Sequence, residues 1–238
     1  LAHIAYHARE HQQALSRQIH DLETRYPAIT SFPFDVLHRH LRLAQTLHKN
    51  THHERYLQGA QTIYRHLTLL TDAFNSAQSQ LSPTLKTLER LLQQIDIDHA
   101  SEHFQTLTEY RARLTELQSA VPSQDPITAL VQATQLTLDI LKALGYAVSA
   151  DTKNDARALL STTTETLISA NLARTNVYTL GHLLPISPEL RATLSQAHVQ
   201  VPQLYEMMSL SQMIRECERL MKSASALHHR ARTEYHEK

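Results

Sequence analysis

The sequence predicts an all-α protein, an elongated antiparallel bundle of about eight helices in two four-helix modules. The first indication is a 4-3 apolar spacing, which keeps one seam of a helix turned toward a neighbouring helix. The second is that only three glycines occur in 238 residues, too few for the turns of doubly wound sheets. The clearest 4-3 run is Tyr56, Ala60, Ile63, Leu67, Leu70, Phe74, Ala77 and Leu81.

The first two predicted helices precede residue 80. The first covers residues 1–25 and ends before Pro27, because proline breaks a helix interior. The second begins near Asp35, a plausible N-cap, and extends to about Ser79. The polar stretch Lys49–Glu54 leaves two alternatives open. The helix either breaks at Asn50 or continues through a polar, hydrated layer of the bundle.

Two further helices are predicted before residue 122. Ser82-Pro83 reads as an N-cap followed by a first-turn proline, so a third helix is expected to start there. Asp98 is expected to cap the fourth. Its inward positions are His103, Leu107, Tyr110, Leu114, Leu117 and Val121.

The segment between Pro122 and Pro126 is the best candidate domain boundary. It predicts one module over residues 1–122 and another over 126–238, or one continuous elongated domain that shares long helices. Asp125-Pro126 repeats the cap-plus-proline start, and Gly145 is placed to end that helix. The last three helices are predicted over about 151–184, from Ser187-Pro188, and from Pro202 to the C-terminus.

Charge and motif content argue against several functions. Basic and acidic residues are balanced at 23 each, which disfavours nucleic acid as the main partner. The lone Cys217 lies on a seam, so we expect a buried, inert thiol. No Ser-His-Asp arrangement or carboxylate pair stands out, so the chain is not expected to be an enzyme. No apolar stretch reaches the roughly 18–20 residues of a membrane span, and the start at Leu1 suggests a piece excised from a longer protein.

Two histidine patterns resemble metal sites. His99-Ala-Ser-Glu102-His103 matches the H-x-x-E-H pattern of inverted zinc peptidases, but the glycine-rich α/β framework of those enzymes is missing. His3, His7 and His11 form a row at four-residue spacing, but no acidic partners accompany them. We therefore expect neither a metal nor a cofactor.

Polar residues that interrupt the apolar seams are the better functional candidates, because bundles place ligand sites between facing helices. The interruptions are His11, the stretch 49–54, His103, Arg174 and His228. The residues selected as ligand-binding are His11, His53, Arg55 and Arg174. The alternative is an edge or satisfied structural role, in which a small helix rotation turns Arg174 outward and Ala173 inward.

The layout resembles the extracytoplasmic sensor domains of bacterial receptors, in particular the helical bimodular type of some chemoreceptors and trimethylamine-oxide-type sensor kinases. The shared features are long helices, a proline-rich waist, two four-helix halves, terminal helices without caps, and segments such as 107–114 and 220–227. The resemblance implies a periplasmic homodimer that meets the membrane only through trimmed flanking helices. A small-molecule solute or a periplasmic binding protein would displace its terminal helices.

The main alternative is an intracellular, cytoplasmic helical scaffold or adaptor that binds a protein partner. It predicts an exposed apolar groove and no small-molecule pocket. A third reading, an enzyme or metal protein, is supported only by the 17 histidines. Hydrophobic spans on either side of residues 1–238 in the parent sequence would separate the first two readings.

Overall fold

The computed structural model describes residues 53–95, 97–179 and 208–237, with scattered positions between 10 and 42. Side chains of the first range are described from residue 65, except residues 66 and 67. Helices make up nearly all of these ranges, which confirms the all-α prediction. The described strand-like pairing is limited to one isolated antiparallel bridge between Ile95 and Val148.

Six α-helices are bounded within the described ranges. They are α1 (His53–Gln93), α2 (Ile97–Ala100), α3 (Phe104–Ala120), α4 (Pro126–Leu144), α5 (Ala150–Thr179) and α6 (Leu210–His236). Two 3₁₀ turns, Val121–Ser123 and Gly145–Ala147, follow α3 and α4. The described positions between 10 and 24 are also helical, as are those between 34 and 42. Phe34 is already helical, so Asp35 lies within a helix and not at the predicted N-cap.

The helix break predicted at Ser82-Pro83 is wrong, because α1 passes through Pro83 without interruption. Proline in a helix interior costs about 3 kcal/mol or more. Leu81 and Thr84, on either side of the proline, are both buried in the bundle. The Thr84 hydroxyl also donates to the Gln80 carbonyl at 2.6 Å. Burial of the neighbouring residues on the opposite face of the helix therefore outweighs the local cost of the exposed proline.

The predicted N-cap at Asp98 is also wrong. Asp98 lies inside the single-turn α2, and the chain turns at residues 101–103 before α3 begins at Phe104. At this turn the rings of His99 and His103 each lie 5.4 Å from the ring of Tyr146. The predicted inward face of α3 is confirmed by its three buried leucines: Leu107, Leu114 and Leu117.

The predicted start and stop of α4 are confirmed. The Asp125 carboxylate accepts a hydrogen bond from the Ile127 N–H at 3.0 Å and another from the Thr128 hydroxyl at 2.8 Å. Such a cap satisfies amide groups that the first helical turn leaves without partners. Gly145 is the C-cap, with its N–H bonded to the Leu141 carbonyl.

Helix α6 begins later than predicted. Met208 and Ser209 are not helical, and the predicted start at Pro202 lies outside the described residues. Ser209 and Gln212 form a capping box, in which each side chain accepts a hydrogen bond from the other's backbone N–H. Cys217, predicted to be a buried thiol on a seam, is fully buried in this helix.

The described core divides into two clusters. One contains Phe74, Leu130, Leu167 and Ala224, and the other contains Leu88, Leu114, Leu141, Leu160 and Cys217. Each cluster draws residues from both sides of the segment 122–126. The packing therefore does not confirm an arrangement in two four-helix modules.

The direction of the long helices follows from these contacts. Arg90 near the end of α1 pairs with Asp155 near the start of α5 at 2.8 Å, so these two helices are antiparallel. Helices α5 and α6 run in the same direction, because Leu160 shares a cluster with Cys217 while Tyr178 shares the other with Tyr235. A shared direction is the one expected of the sixth and eighth helices in an alternating antiparallel order, because a seventh helix is predicted between them from Ser187-Pro188. That seventh helix lies outside the described residues.

No helix in the described ranges has both the length and the apolar character needed to cross a membrane.

Candidate functional site

Arg174 is the only basic side chain among the described residues that the bundle buries, with 8% of its surface exposed. It occupies the seam of α5, three residues before Val177 and seven after Leu167, both of which are completely buried. Ala173 is buried as well, so the alternative in which Arg174 turns outward is wrong.

The position of the Arg174 guanidinium is fixed from within α5. Its Nη2 donates to Asn171 Oδ1 at 3.1 Å, and Asn171 Nδ2 in turn donates to the Leu167 carbonyl at 3.0 Å. Both contacts join neutral acceptors at helical spacing. The amide therefore orients the guanidinium without neutralising its charge.

The charge of Arg174 has no carboxylate within 4.0 Å among the described residues. Its Nε is buried and has no hydrogen-bond partner there. Burial lowers the pKa of Arg174 from its ordinary value, and the negative charge of Asp125 opposes that shift. Unpaired buried charge is costly, so an acceptor placed at Nε would stabilise the folded protein.

His228 of α6 belongs to the same buried region. Its ring lies 5.6 Å from the ring of Tyr178, and its Nδ1 is buried without a hydrogen-bond partner. Burial lowers the pKa of His228 to about 4, and the positive charges of Arg174 and Arg232 act in the same direction. His228 is therefore neutral at pH 7.

Tyr178 and Tyr235 line the remaining side of the region, with ring centroids 5.6 Å apart in an edge-to-face arrangement. Burial raises the pKa of Tyr178, and Asp35 contributes to that shift, so its hydroxyl stays protonated and can donate. The guanidinium of Arg39 lies 5.6 Å from the Tyr235 ring, and its Nη1 donates to the Tyr235 hydroxyl at 3.4 Å.

We call Asn171, Arg174, Tyr178, His228 and Tyr235 the Arg174 layer. Three of these side chains come from α5 and two from α6. The layer offers a fixed buried cation, a neutral imidazole and a phenol donor, which together suit a hydrogen-bond acceptor or an anion. It contains no nucleophile with an adjacent base and no set of metal ligands.

The other predicted ligand residues cannot be placed beside Arg174. His11 lies outside the described residues. His53 and Arg55 begin α1, but their side chains are also outside the described set. The prediction for these three residues therefore stays a prediction, while Arg174 is placed in a buried polar region.

The H-x-x-E-H pattern does not lie on a single helix. His99 lies in α2, but Glu102 and His103 lie in the turn before α3, so the two histidines do not share one helix. His99 Nδ1 is 3.6 Å from the Glu102 carboxylate. Within the described ranges, no group of three or more His, Cys, Asp or Glu side chains is placed to hold a metal ion.

A separate half-open cleft of about 380 Å³ lies between α3 and α4. Its walls are Arg113, Glu116, Leu117, Ala120, Gln124, Gln132 and Leu136. Arg113 is neutralised by Asp139, with both terminal nitrogens 3.1 Å from Oδ2. The Arg113 guanidinium already has a carboxylate partner, whereas Arg174 has none among the described residues. The cleft is therefore the weaker candidate for binding an anion.

Asn171, Tyr178 and Tyr235 were not selected from the sequence, and His228 was noted only as an interruption of its seam. A usable signal was present for two of them. Asn171, Arg174 and Tyr178 follow each other at spacings of three and four, which places polar atoms in one row along a helix. No pattern in the nearby sequence indicates that His228 and Tyr235 of α6 join this layer, because their place in it depends on which helix packs beside α5.

Comparison with known proteins gave no family model, no curated sequence and no solved structure that matches this chain.

Proposed function

We propose that this chain is a ligand-sensing helical domain in which a small anionic solute binds at the Arg174 layer and displaces α6. The single observation that carries the proposal is the buried guanidinium of Arg174, whose described surroundings provide no carboxylate partner. Helical bundles commonly build ligand sites between facing helices, where a few polar groups converge in an apolar core.

Displacement of α6 follows from the way the layer is shared. Arg174 comes from α5, whereas His228 and Tyr235 come from α6. A ligand that contacts both helices favours the relative position in which all of its contacts are made. A few kcal/mol of differential binding is enough to shift such an equilibrium, and packed helices respond by small sliding motions.

The proposal extends to the setting that the layout resemblance implies. The domain would be extracytoplasmic, in the periplasm, and would be part of an elongated homodimer between two membrane helices. The solute would arrive free or carried by a periplasmic binding protein. The parent gene tests this part: hydrophobic spans on both sides of residues 1–238 support it, and polar flanking sequence on both sides contradicts it.

A thermal-shift screen tests ligand binding directly. The panel contains small carboxylates, inorganic oxyanions, amines, amine oxides and divalent metals. A ligand at 100 times its dissociation constant adds about 2.7 kcal/mol to the free energy of unfolding. We expect a shift with anions that is lost in Arg174→Met. A panel without any shift contradicts direct solute sensing.

A second candidate function is a helical scaffold that binds a protein partner. It is favoured by two aromatic side chains that remain largely in solvent, Phe104 at 71% exposure and Tyr146 at 58%. Both lie close to His103, one next to it in sequence and the other in ring contact. Exposed aromatic rings are common anchors at protein interfaces. A thermal-shift screen in which no solute changes the melting temperature, together with polar flanking sequence in the parent gene, would favour this function.

A further inference from the structure

His228 is surrounded by positive charge in the described part of the chain. The ring of Tyr178 contacts it from α5. The charges of Arg174 on α5 and of His229 and Arg232 on α6 disfavour its protonation. Asp35 acts on the adjacent Tyr178, and Arg39 contacts Tyr235. The imidazole is therefore held neutral beside a buried cation, and its Nδ1 lacks a hydrogen-bond partner.

We propose that binding of an anion to Arg174 is coupled to the uptake of one proton by His228, so that the Arg174 layer responds to the anion and to acidity together. The inference rests on the proposed function, because it concerns the regulation of the same site. The proton comes from solvent and forms an N–H bond on the imidazole. No other bond is made or broken.

The coupling follows from the sign of the local charge. In the unliganded protein, an imidazolium would add a second buried positive charge next to Arg174, which burial and like-charge repulsion both oppose. A bound anion reverses the repulsion and offers an acceptor to the new N–H. Any ligand that favours the protonated state binds more strongly as that state becomes more populated.

The linkage has a measurable magnitude. The window is the pH range between the pKa of the His228 imidazole in the free protein and its pKa in the anion complex. Within this window, each unit of lower pH strengthens anion binding by up to about tenfold. At pH values well above this window the ligand binds without proton uptake. The strongest response is therefore expected in mildly acidic solution.

Isothermal titration calorimetry with the whole chain tests the coupling. Nitrate and formate serve as probes because both are small planar anions, and formamide is the neutral counterpart of formate. Titrations at pH 5.5 and 7.5, each in buffers of different ionisation enthalpy, give the number of protons taken up per anion. We expect uptake approaching one proton at pH 5.5, less at pH 7.5, and no binding of formamide.

Three variants assign the coupling to named side chains. His228→Gln should retain weakened anion binding without proton uptake. Arg174→Met should lose anion binding. Arg157→Met is the matched control, since Arg157 lies on the same helix, is half-buried and also has a buried Nε without a partner. It is about 25 Å from Arg174 along α5, so its substitution should leave both affinity and proton uptake unchanged.

The outcomes separate the two proposals. Anion binding at Arg174 without proton uptake overturns the coupling but leaves the proposed function intact. Binding of neutral or cationic solutes alone also overturns the coupling while preserving a sensing role. No binding by any solute overturns both. Loss of binding in Arg157→Met, with Arg174→Met unaffected, places the anion elsewhere on α5 and rejects the layer as its site. If His228→Gln fails to fold, the buffer series on the unmodified chain still decides whether a proton is taken up.

Discussion

At the scale of single residues, the buried polar side chains differ in how they are satisfied. Asp125 is buried, but its carboxylate caps α4 through a backbone N–H and a hydroxyl. Arg174 is buried with one neutral partner, and the half-buried His228 has a buried Nδ1 without a partner. Native structures rarely leave buried polar atoms unpaired without a reason. This difference distinguishes a structural cap from a candidate binding site.

His228 gives a pH dependence of stability with a defined sign. Its pKa is about 4 in the folded chain and 6.5 ordinarily, so the unfolded chain binds more protons between these values. Stability is therefore full above about pH 6.5 and falls as the pH drops toward 4. After allowing for the partial exposure of the ring, the loss amounts to about 1–2 kcal/mol.

Urea unfolding at pH 7.5, 6 and 4.5 measures this loss, with His228→Gln compared with the unmodified chain. We expect the variant to lose less stability on acidification than the unmodified chain does. The difference between the two proteins isolates His228, because the other histidines titrate in both. Equal losses in the two proteins would show that the His228 ring is not desolvated in the folded state.

At the scale of elements, α1 retains a feature that disfavours helix. Pro83 is exposed inside a 41-residue helix and lacks the N–H that would bond to the preceding turn. Burial of residues on the opposite face keeps the helix continuous. In contrast, α4 and α6 start at side chains that satisfy their first amides, Asp125 and Ser209.

Pro83→Ala should therefore raise the free energy of unfolding, by about 1–3 kcal/mol, because alanine restores the hydrogen bond and removes a ring that clashes with the preceding turn. Chemical denaturation monitored by far-ultraviolet circular dichroism measures the change. Ser82→Ala, a neighbouring exposed position, is the control and should shift stability by only a few tenths of a kcal/mol. A destabilised Pro83→Ala variant would indicate that the helix breaks at the proline, as the sequence alone suggests.

At the scale of the whole molecule, the two core clusters are joined by helices that pass through both. Helices α1, α4, α5 and α6 each contribute to both clusters, so a defect in one cluster lies on elements that support the other. Among the residues whose side chains are described, Phe74 is the largest that is completely buried, and it belongs to the cluster that also contains Tyr178 and Tyr235. We therefore expect the chain to unfold as one cooperative unit.

Phe74→Ala should destabilise the chain by about 3–5 kcal/mol, because it removes buried apolar surface and leaves a cavity. Hydrogen exchange followed by mass spectrometry should show a common loss of protection on both sides of the segment 122–126. Leu69→Ala, at a 44% exposed position of the same helix, is the control and should have a small effect. Unchanged protection after residue 126 in Phe74→Ala would instead support two independent modules.

The sequence by itself determined the helical class, the inward face of α3, the cap at Asp125, the stop at Gly145 and the burial of Cys217. These features depend on side-chain periodicity and on contacts within a few residues, so local sequence contains them. The capping box at Ser209 and Gln212 was equally local. It was missed because Pro202 offered an earlier start signal.

Only the tertiary structure decided the continuity of α1 through Pro83 and the turn before α3. It also decided the composition of the candidate site. The sequence placed Arg174 on a seam, but His228 lies 54 residues further along, and nothing near either residue specifies the other. Their meeting depends on which helices pack together and in which direction, and that choice is set by burial summed over the whole bundle.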